Sequence, residues 1–299
     1  MSESFCRVGD VELCYETFGD PEDPAMLLIM GLGTQMLGWS DDLCEQLAAR
    51  GFHAIRFDNR DIGRSTLMDG VPPPTIGQIL RRDRRAAGYV LADMAADAVG
   101  LLDHLGIDHA HVVGASMGGM IAQTIAARHR ERVLSLVSIM SNTGSRLRGQ
   151  PALRTYPVFL RRSPADREGY VDHIVRLFRV IGSPGFDEDE LREMLGRSYD
   201  RGYDPAGAGR QLAALLASGD RTAELRTVTA PTLVIHGAAD RLVAPSGGRA
   251  TARAIPGARL LMIDGMGHDL PRKVWPQVLD AITEHAARAT PDPGARTPA

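Results

Sequence analysis

The chain has 299 residues, 44% hydrophobic and 24% charged, the balance of a soluble globular protein able to bury a large core. That length allows up to about two average domains, and α/β folds of this size are often one domain carrying an insertion. A net charge of −3 and a pI near 6.3 supply no global field for nucleic acid or an anionic membrane, and neither is expected as a partner.

In chain order, residues 1–7 lack the basic-then-apolar pattern of a signal peptide. Residues 5–17 read as a hairpin turning at Gly9 and Asp10. Residues 25–30 form a continuous apolar run, the mark of a strand buried on both faces and far too short to span a membrane. The run ends in Gly31-Leu32-Gly33-Thr34. Residues 39–50 read as a helix stopped by Gly51, and 53–57 as the next strand. The three cysteines, Cys6, Cys14 and Cys44, show no metal-like clustering. An odd, sparse set fits reduced thiols and a cytoplasmic location.

Residues 58–65 are a charged loop, and 66–90 are broken by three prolines and a basic cluster at 81–85 that reads as a solvated face. Residues 91–105 form an amphipathic helix with Met94, Ala98, Leu101, Leu102 and Leu105 on one side, ended by Gly106. Next comes His111-Val112-Val113-Gly114-Ala115-Ser116-Met117-Gly118-Gly119, a short apolar run entering a Gly-x-Ser-x-Gly pentapeptide and leaving as a helix over 120–127. In that context the pattern reads as a nucleophile elbow, a tight strand-to-helix turn in which Gly114 and Gly118 leave no room for Cβ atoms and Ser116 is pushed out.

Residues 133–140 form another strand. From 141 to 221 the alternation of strand and helix stops, and apolar residues recur at helical spacing: Val171, Ile174, Val175, Phe178, then Leu212, Leu215, Leu216. An insertion of this kind suits a helical cap over the sheet's C-terminal edge. Strands resume at 232–236 and 259–263, each followed by a loop: 237–245, containing Asp240, and 264–268, ending in His268. A last helix runs to about residue 288, and 289–299 read as a frayed tail.

Buried strands alternating with helices imply a mostly parallel sheet covered on both faces, with ligands bound beyond the carboxyl ends of the strands. The loops holding Gly31, Ser116, Asp240 and His268 all follow strands and therefore converge on one edge. A serine hydroxyl needs a base, and the base needs an acid to fix its tautomer. His268 is the expected base and Asp240 the expected acid, in the order Ser, Asp, His. His236 reads as a structural histidine, His111 lies at the wrong end of its strand, and Asp264 and Asp269 stand too close to His268 in sequence to reach its far nitrogen. The oxyanion hole is expected from the N–H of Met117 and that of Leu32, with Gly33 a weaker choice. Met36, Trp39, Met140 and Met266, with Gly31 and Gly33, are expected near the mouth of the pocket, where core filling is the competing reading.

These residues resemble the α/β-hydrolase superfamily. Gly114-Ala-Ser-Met-Gly-Gly resembles its elbow, Gly237-Ala-Ala-Asp its acid loop and Gly265-Met-Gly-His its histidine loop. Residues 58–65 look like its structural Asp-x-Arg-Gly-x-Gly-x-Ser loop, with Asp61 where glycine is usual, and Met30-Gly31 replaces the usual His-Gly. Within the superfamily, Leu-Leu-Ile-Met-Gly, Leu37-Gly38-Trp39 and residues 59–65 look most like the aclacinomycin methylesterase group of actinobacterial polyketide-pathway enzymes. That resemblance implies carboxylic-ester hydrolysis, with a methyl ester on a bulky aromatic polyketide as one candidate substrate. The expected architecture is an α/β-hydrolase core over 1–140 and 222–288, a helical cap over 141–221 and a tail over 289–299. The expected activity is a serine esterase needing no metal or cofactor, monomeric or homodimeric, acting on small to medium apolar esters. A perhydrolase, a carbon–carbon bond hydrolase and a ligand-binding receptor on the same scaffold remain as alternatives.

Overall fold

The computed structural model describes residues 3–81, 83–159 and 164–289. Beyond Ala289 the expected tail lies outside the described residues, as does Arg82 of the basic cluster. Eight strands form one sheet: β1 (Ser4–Val8), β2 (Val11–Phe18), β3 (Ala25–Ile29), β4 (His53–Phe57), β5 (Ala110–Ala115), β6 (Val133–Ile139), β7 (Thr232–Gly237) and β8 (Arg259–Ile263). Their spatial order is β1-β2-β4-β3-β5-β6-β7-β8. The first two junctions are antiparallel and the remaining five parallel.

The apolar runs explain the layering. Every residue of β3, β4, β5 and β7 is buried, as strands covered on both faces must be. Along β3 the faces alternate: Leu27 and Ile29 join a core with helices Leu91–His104 and Met117–Arg128, while Met26 and Leu28 join one with helices Asp41–Ala48 and Trp275–Ala289. Each such side chain contributes about 2 kcal/mol of burial free energy.

The chain leaves β3 outward to β4, then crosses back to start β5 on β3's other side. The loops after β3 and β5 thus part at the point where strand order reverses, where α/β sheets open a binding crevice.

Two local expectations shift. No single helix runs over 39–50: a 3-10 turn at Met36–Gly38 is followed by Trp39 in extended conformation and a helix only from Asp41. Ser40 caps that helix by accepting from Leu43 N–H, and Asp41 and Asp42 sit in its first turn, where carboxylates are favoured. The helix after Ser116 starts at Met117 rather than 120, directly out of the turn.

Between β6 and β7 the chain forms helices Arg167–Ile181, Glu188–Arg201 and Gly207–Ser218. Val171 and Val175 are buried as their spacing implies, but on the third helix the buried face is Arg210, Gln211, Ala213, Ala214 and Ala217, with Leu212, Leu215 and Leu216 half-buried. Among the described residues, no helix is long and apolar enough to cross a membrane.

On β5, His111 is fully buried, its Nδ1 2.9 Å from Ser135 Oγ, its ring edge-on to Phe52. Burial, with a smaller contribution from the His285 charge, pushes its pKa down from 6.5 to about 4. As pH falls, the unfolded chain takes up this proton before the folded one, so stability contributed by neutral His111 is lost between about pH 6.5 and 4. The whole window is worth about 3 kcal/mol. Urea midpoints at pH 7 and pH 4.5 are therefore expected to differ more for the wild type than for His111→Gln, and equal differences would remove His111 from the acid response.

Candidate active site

Strand β5 ends at Ala115, and the next residue, Ser116, has φ +56° and ψ −120° and passes straight into the helix Met117–Arg128. A non-glycine residue held there costs on the order of 1–3 kcal/mol and persists only when its surroundings impose it. Those surroundings are visible. Ser116 N–H donates to Ile139 O at 2.9 Å. A Cβ on Gly114 would lie 2.1 Å from Gly118 O, and one on Gly118 only 2.0 Å from Ile29 O. Both glycines do the steric job expected of them. Gly119 is a third: its Cβ would meet that of Ser141 at 2.7 Å.

His268 Nε2 is 3.0 Å from Ser116 Oγ, and His268 Nδ1 is 2.8 Å from Asp240 Oδ2. Asp240 is buried, and its Oδ1 accepts from the backbone N–H groups of Leu242 and Val243, each at 2.9 Å. Burial works to raise its pKa, but the His268 charge and hydrogen bonds from His236 and His268 outweigh it and hold the value at about 2. An ionised carboxylate only accepts, so the proton of neutral His268 resides on Nδ1 and the Nε2 lone pair faces Ser116. The three side chains therefore form a chain in which Ser116 can pass its proton to a held imidazole.

The competing residues are occupied elsewhere. His236 Nε2 is 2.8 Å from Val243 O and 3.5 Å from Asp240 Oδ2, so it braces the acid's loop from beneath, consistent with a structural role. Asp264 is exposed, and Asp269 Oδ1 accepts from both Ser183 N–H and Ser183 Oγ, at 2.9 and 2.6 Å.

Residues 31–34 form a turn closed by Thr34 N–H to Gly31 O at 3.3 Å. The turn lies against the serine: a Cβ on Gly31 would be 3.0 Å from Ser116 Cβ. Gly33, at φ +67°, has its N–H taken by Gln211 Oε1 at 2.8 Å. Leu32 N–H makes no hydrogen bond to another described residue, and Met117 opens its helix, where backbone N–H groups lack intrahelical acceptors. The two expected oxyanion donors, Leu32 and Met117, are thus among the backbone N–H groups near Ser116 that no described residue engages. Of the expected mouth residues, Trp39, Met140 and Met266 lie buried in the core cluster shared with the last helix, Met36 is fully buried, and Gly33 packs beside Ala208.

The helical insertion bears on the same loops, through partners the sequence did not reveal. His268 N–H donates to Ile181 O and Gly267 N–H to Ser183 Oγ, both at 2.8 Å. On the other side Gln35 Nε2 donates to the carbonyls of Ser198 and Gly202, and Arg201 pairs with buried Asp58 at 2.9 Å. Asp61 adopts φ +69°, the left-handed conformation a glycine would take, and its carboxylate accepts from Met68 N–H, Tyr89 Oη and Arg210 Nε at 2.6–2.8 Å.

The family model described as the alpha/beta hydrolase fold matches residues 24–271. The rhodomycin D methylesterase DnrP of Streptomyces peucetius is 33% identical over 304 aligned residues, covering 94% of this chain and 97% of that protein. The corresponding DauP of Streptomyces sp. (strain C5) matches at the same identity and coverage. The 3-oxoadipate enol-lactonase 2 of Acinetobacter baylyi is 27% identical over 80% of each chain. Among solved structures, the enol-lactonase from Burkholderia xenovorans LB400 superposes with a TM-score of 0.71 at 24% identity, covering 96% of this chain and 99% of that one.

The elbow's sterics are testable without any substrate. Gly114→Ala and Gly118→Ala must push backbone apart and are each expected to cost at least about 3 kcal/mol in urea unfolding. Gly77→Ala, with open space around the new Cβ, should stay within about 1 kcal/mol of wild type. A Gly118→Ala protein of wild-type stability would mean that the elbow is looser than its geometry.

Proposed function

The chain belongs to the alpha/beta hydrolase fold family, and from that premise we propose that it is a serine carboxylic-ester hydrolase working through an acyl-enzyme on Ser116. The observation that carries the reading is the hydrogen-bonded chain Asp240–His268–Ser116, at 2.8 and 3.0 Å, beside the N–H groups of Leu32 and Met117, which find no acceptor among the described residues. Ser116 Oγ attacks the ester carbonyl carbon while His268 Nε2 takes its proton. Negative charge developing on the carbonyl oxygen is met by the N–H groups of Leu32 and Met117, each worth about 3 kcal/mol in the transition state. His268 then protonates the departing alcohol. A water enters, gives its proton to His268 and attacks the acyl carbon; collapse releases the acid and returns the proton to Ser116.

Asp240 stabilises the imidazolium formed at each transfer. Held, despite its burial, well below the usual carboxylate range by the His268 charge and its hydrogen bonds, it remains ionised throughout the neutral range. Residues 1–140 and 222–288 act as the hydrolase core, and 141–221 as a helical cap. Similarity to the rhodomycin D methylesterases, which match the chain through the insertion as well as the core, supports the choice of substrate class. Accordingly, a methyl ester on a bulky aromatic polyketide is the substrate we assign.

An ester panel varying acyl and alcohol groups, from short p-nitrophenyl esters to a polyketide methyl ester, tests both levels. The wild type is expected to hydrolyse p-nitrophenyl acetate and to favour the polyketide ester in kcat/KM. Ser116→Ala is expected to lose turnover, and Asp240→Asn to lower kcat by about 10³–10⁴, because an amide facing Nδ1 forces the wrong tautomer. Full activity in Ser116→Ala would overturn the mechanism, and indifference to the polyketide ester would overturn the substrate.

A further inference from the structure

We propose that Gln211, carried by the helical insertion, is a positioning residue for the oxyanion turn, so that seating of the insertion sets transition-state stabilisation at Ser116. The assignment rests on the ester-hydrolase reading of that serine. Gln211 is fully buried on the helix Gly207–Ser218, on a face whose other members are mostly alanine. A buried amide is tolerated only where its donors and acceptor find partners. Its Oε1 accepts from Gly33 N–H and its Nε2 donates to Arg60 O, both at 2.8 Å. One side chain thereby spans the turn after β3 and the loop after β4.

The peptide it grips is the mechanically important one. In the turn closed from Thr34 N–H to Gly31 O, the Leu32–Gly33 peptide is the central unit. Central peptides of four-residue turns can flip, interconverting turn types, when the third residue is a glycine free to take either sign of φ. Here both ends are held: the N–H by Gln211, and the Leu32 carbonyl by Thr34 Oγ1 at 3.4 Å. Gly33 also lies against the same helix, since a Cβ there would stand 3.1 Å from Ala208 Cβ. A released central peptide would let the turn relax against Ser116, and a shift of about 1 Å in the adjoining Gly31–Leu32 peptide, whose N–H is the oxyanion donor assigned above, is enough to cost about 10²-fold in rate. The sequence separation of 178 residues between the partners makes the contact a report on the insertion's position.

The test separates positioning from simple stability. Gln211→Met keeps the volume and removes both hydrogen bonds. With active sites titrated by a fluorophosphonate, its kcat on p-nitrophenyl acetate is expected to fall about 10–100-fold with KM within about threefold. Its affinity for a boronic acid, whose tetrahedral Ser116 adduct fills the oxyanion hole, is expected to fall by the same factor. Thr34→Val releases the other end of the peptide and should lower both quantities together by about threefold, which decides the matter if Gln211→Met does not fold. Kcat and boronate affinity within about twofold of wild type in the folded variants would overturn the assignment. A wild type that neither hydrolyses the ester nor is labelled at Ser116 would instead overturn the esterase reading on which it rests.

Discussion

The approach of Gly118 to the end of β3 is the constraint on which the site depends. With a side chain at 118 the helix after Ser116 would have to retreat from Ile29 O, and Ser116 would leave the sheet edge with it. Because the glycine allows contact, the serine and the turn after β3 are built on one another: Gly31 lies against Ser116, and Gly118 against the backbone that leads into Gly31. The proposed nucleophile and oxyanion donor are therefore placed by a single backbone packing between two adjacent parallel strands. The strain at Ser116 is sustained by that packing and by its bond to Ile139 O, which ties the elbow to β6 on the opposite flank.

The buried carboxylates near the site are held by a different rule, in which each oxygen meets a donor. Asp240 uses Oδ1 for its own loop backbone and Oδ2 for His268, so the acid's orientation is settled before the imidazole arrives. Asp61 follows the same logic outside the triad. An aspartate in the left-handed region is less favourable than glycine by about 1 kcal/mol, and its buried carboxylate would be far more costly unpaired. Three donors offset this, and one is Arg210 of the insertion. The departure from glycine in the loop at 58–65 thus exchanges backbone freedom for an anchor.

How much could be read from the chain follows from the range of each signal. Strands β3, β4, β5 and β7 were legible because continuous apolar runs have no other economical fate, and the Ser, Asp, His order because Ser116 and Asp240 follow two of those runs and His268 the strand Arg259–Ile263. Leu105–Gly106 was legible as a helix end, and Gly106 takes the expected left-handed φ of +70°. The start of the helix near Trp39 was not, because Ser40 and its two aspartates compete with a hydrophobic residue that looks like a first turn. Leu212, Leu215 and Leu216 were the apparent inward face of their helix, yet Arg210 and Gln211 are the residues turned in. Their partners, Asp61, Arg60 and Gly33, lie about 150 or more positions away, and no local periodicity encodes a buried polar pair at that separation. Ser183, gripping Gly267 and Asp269 across 84–86 positions, was hidden for the same reason.

The insertion is attached in a way that fits its bearing on both loops. Its two connections run side by side: a Cβ on Gly144 would stand 2.0 Å from Gly219 O, and Arg221 N–H donates to Thr143 O at 2.8 Å. Arg221 Nη2 closes this neck onto Asn142 O and onto Gln123 of the helix that follows Ser116. Burial lowers its pKa to about 10, which still leaves it charged at neutral pH. A segment joined through one narrow neck would be free to swing were nothing else holding it. Here the histidine loop is bound on one side through Ile181 and Ser183, and the turn after β3 on the other through Gln211, so displacement in either direction must break hydrogen bonds to a loop that carries a reacting group. If Ser116 acts as proposed, the seating of the insertion and the geometry around the serine are for that reason coupled through the same few bonds.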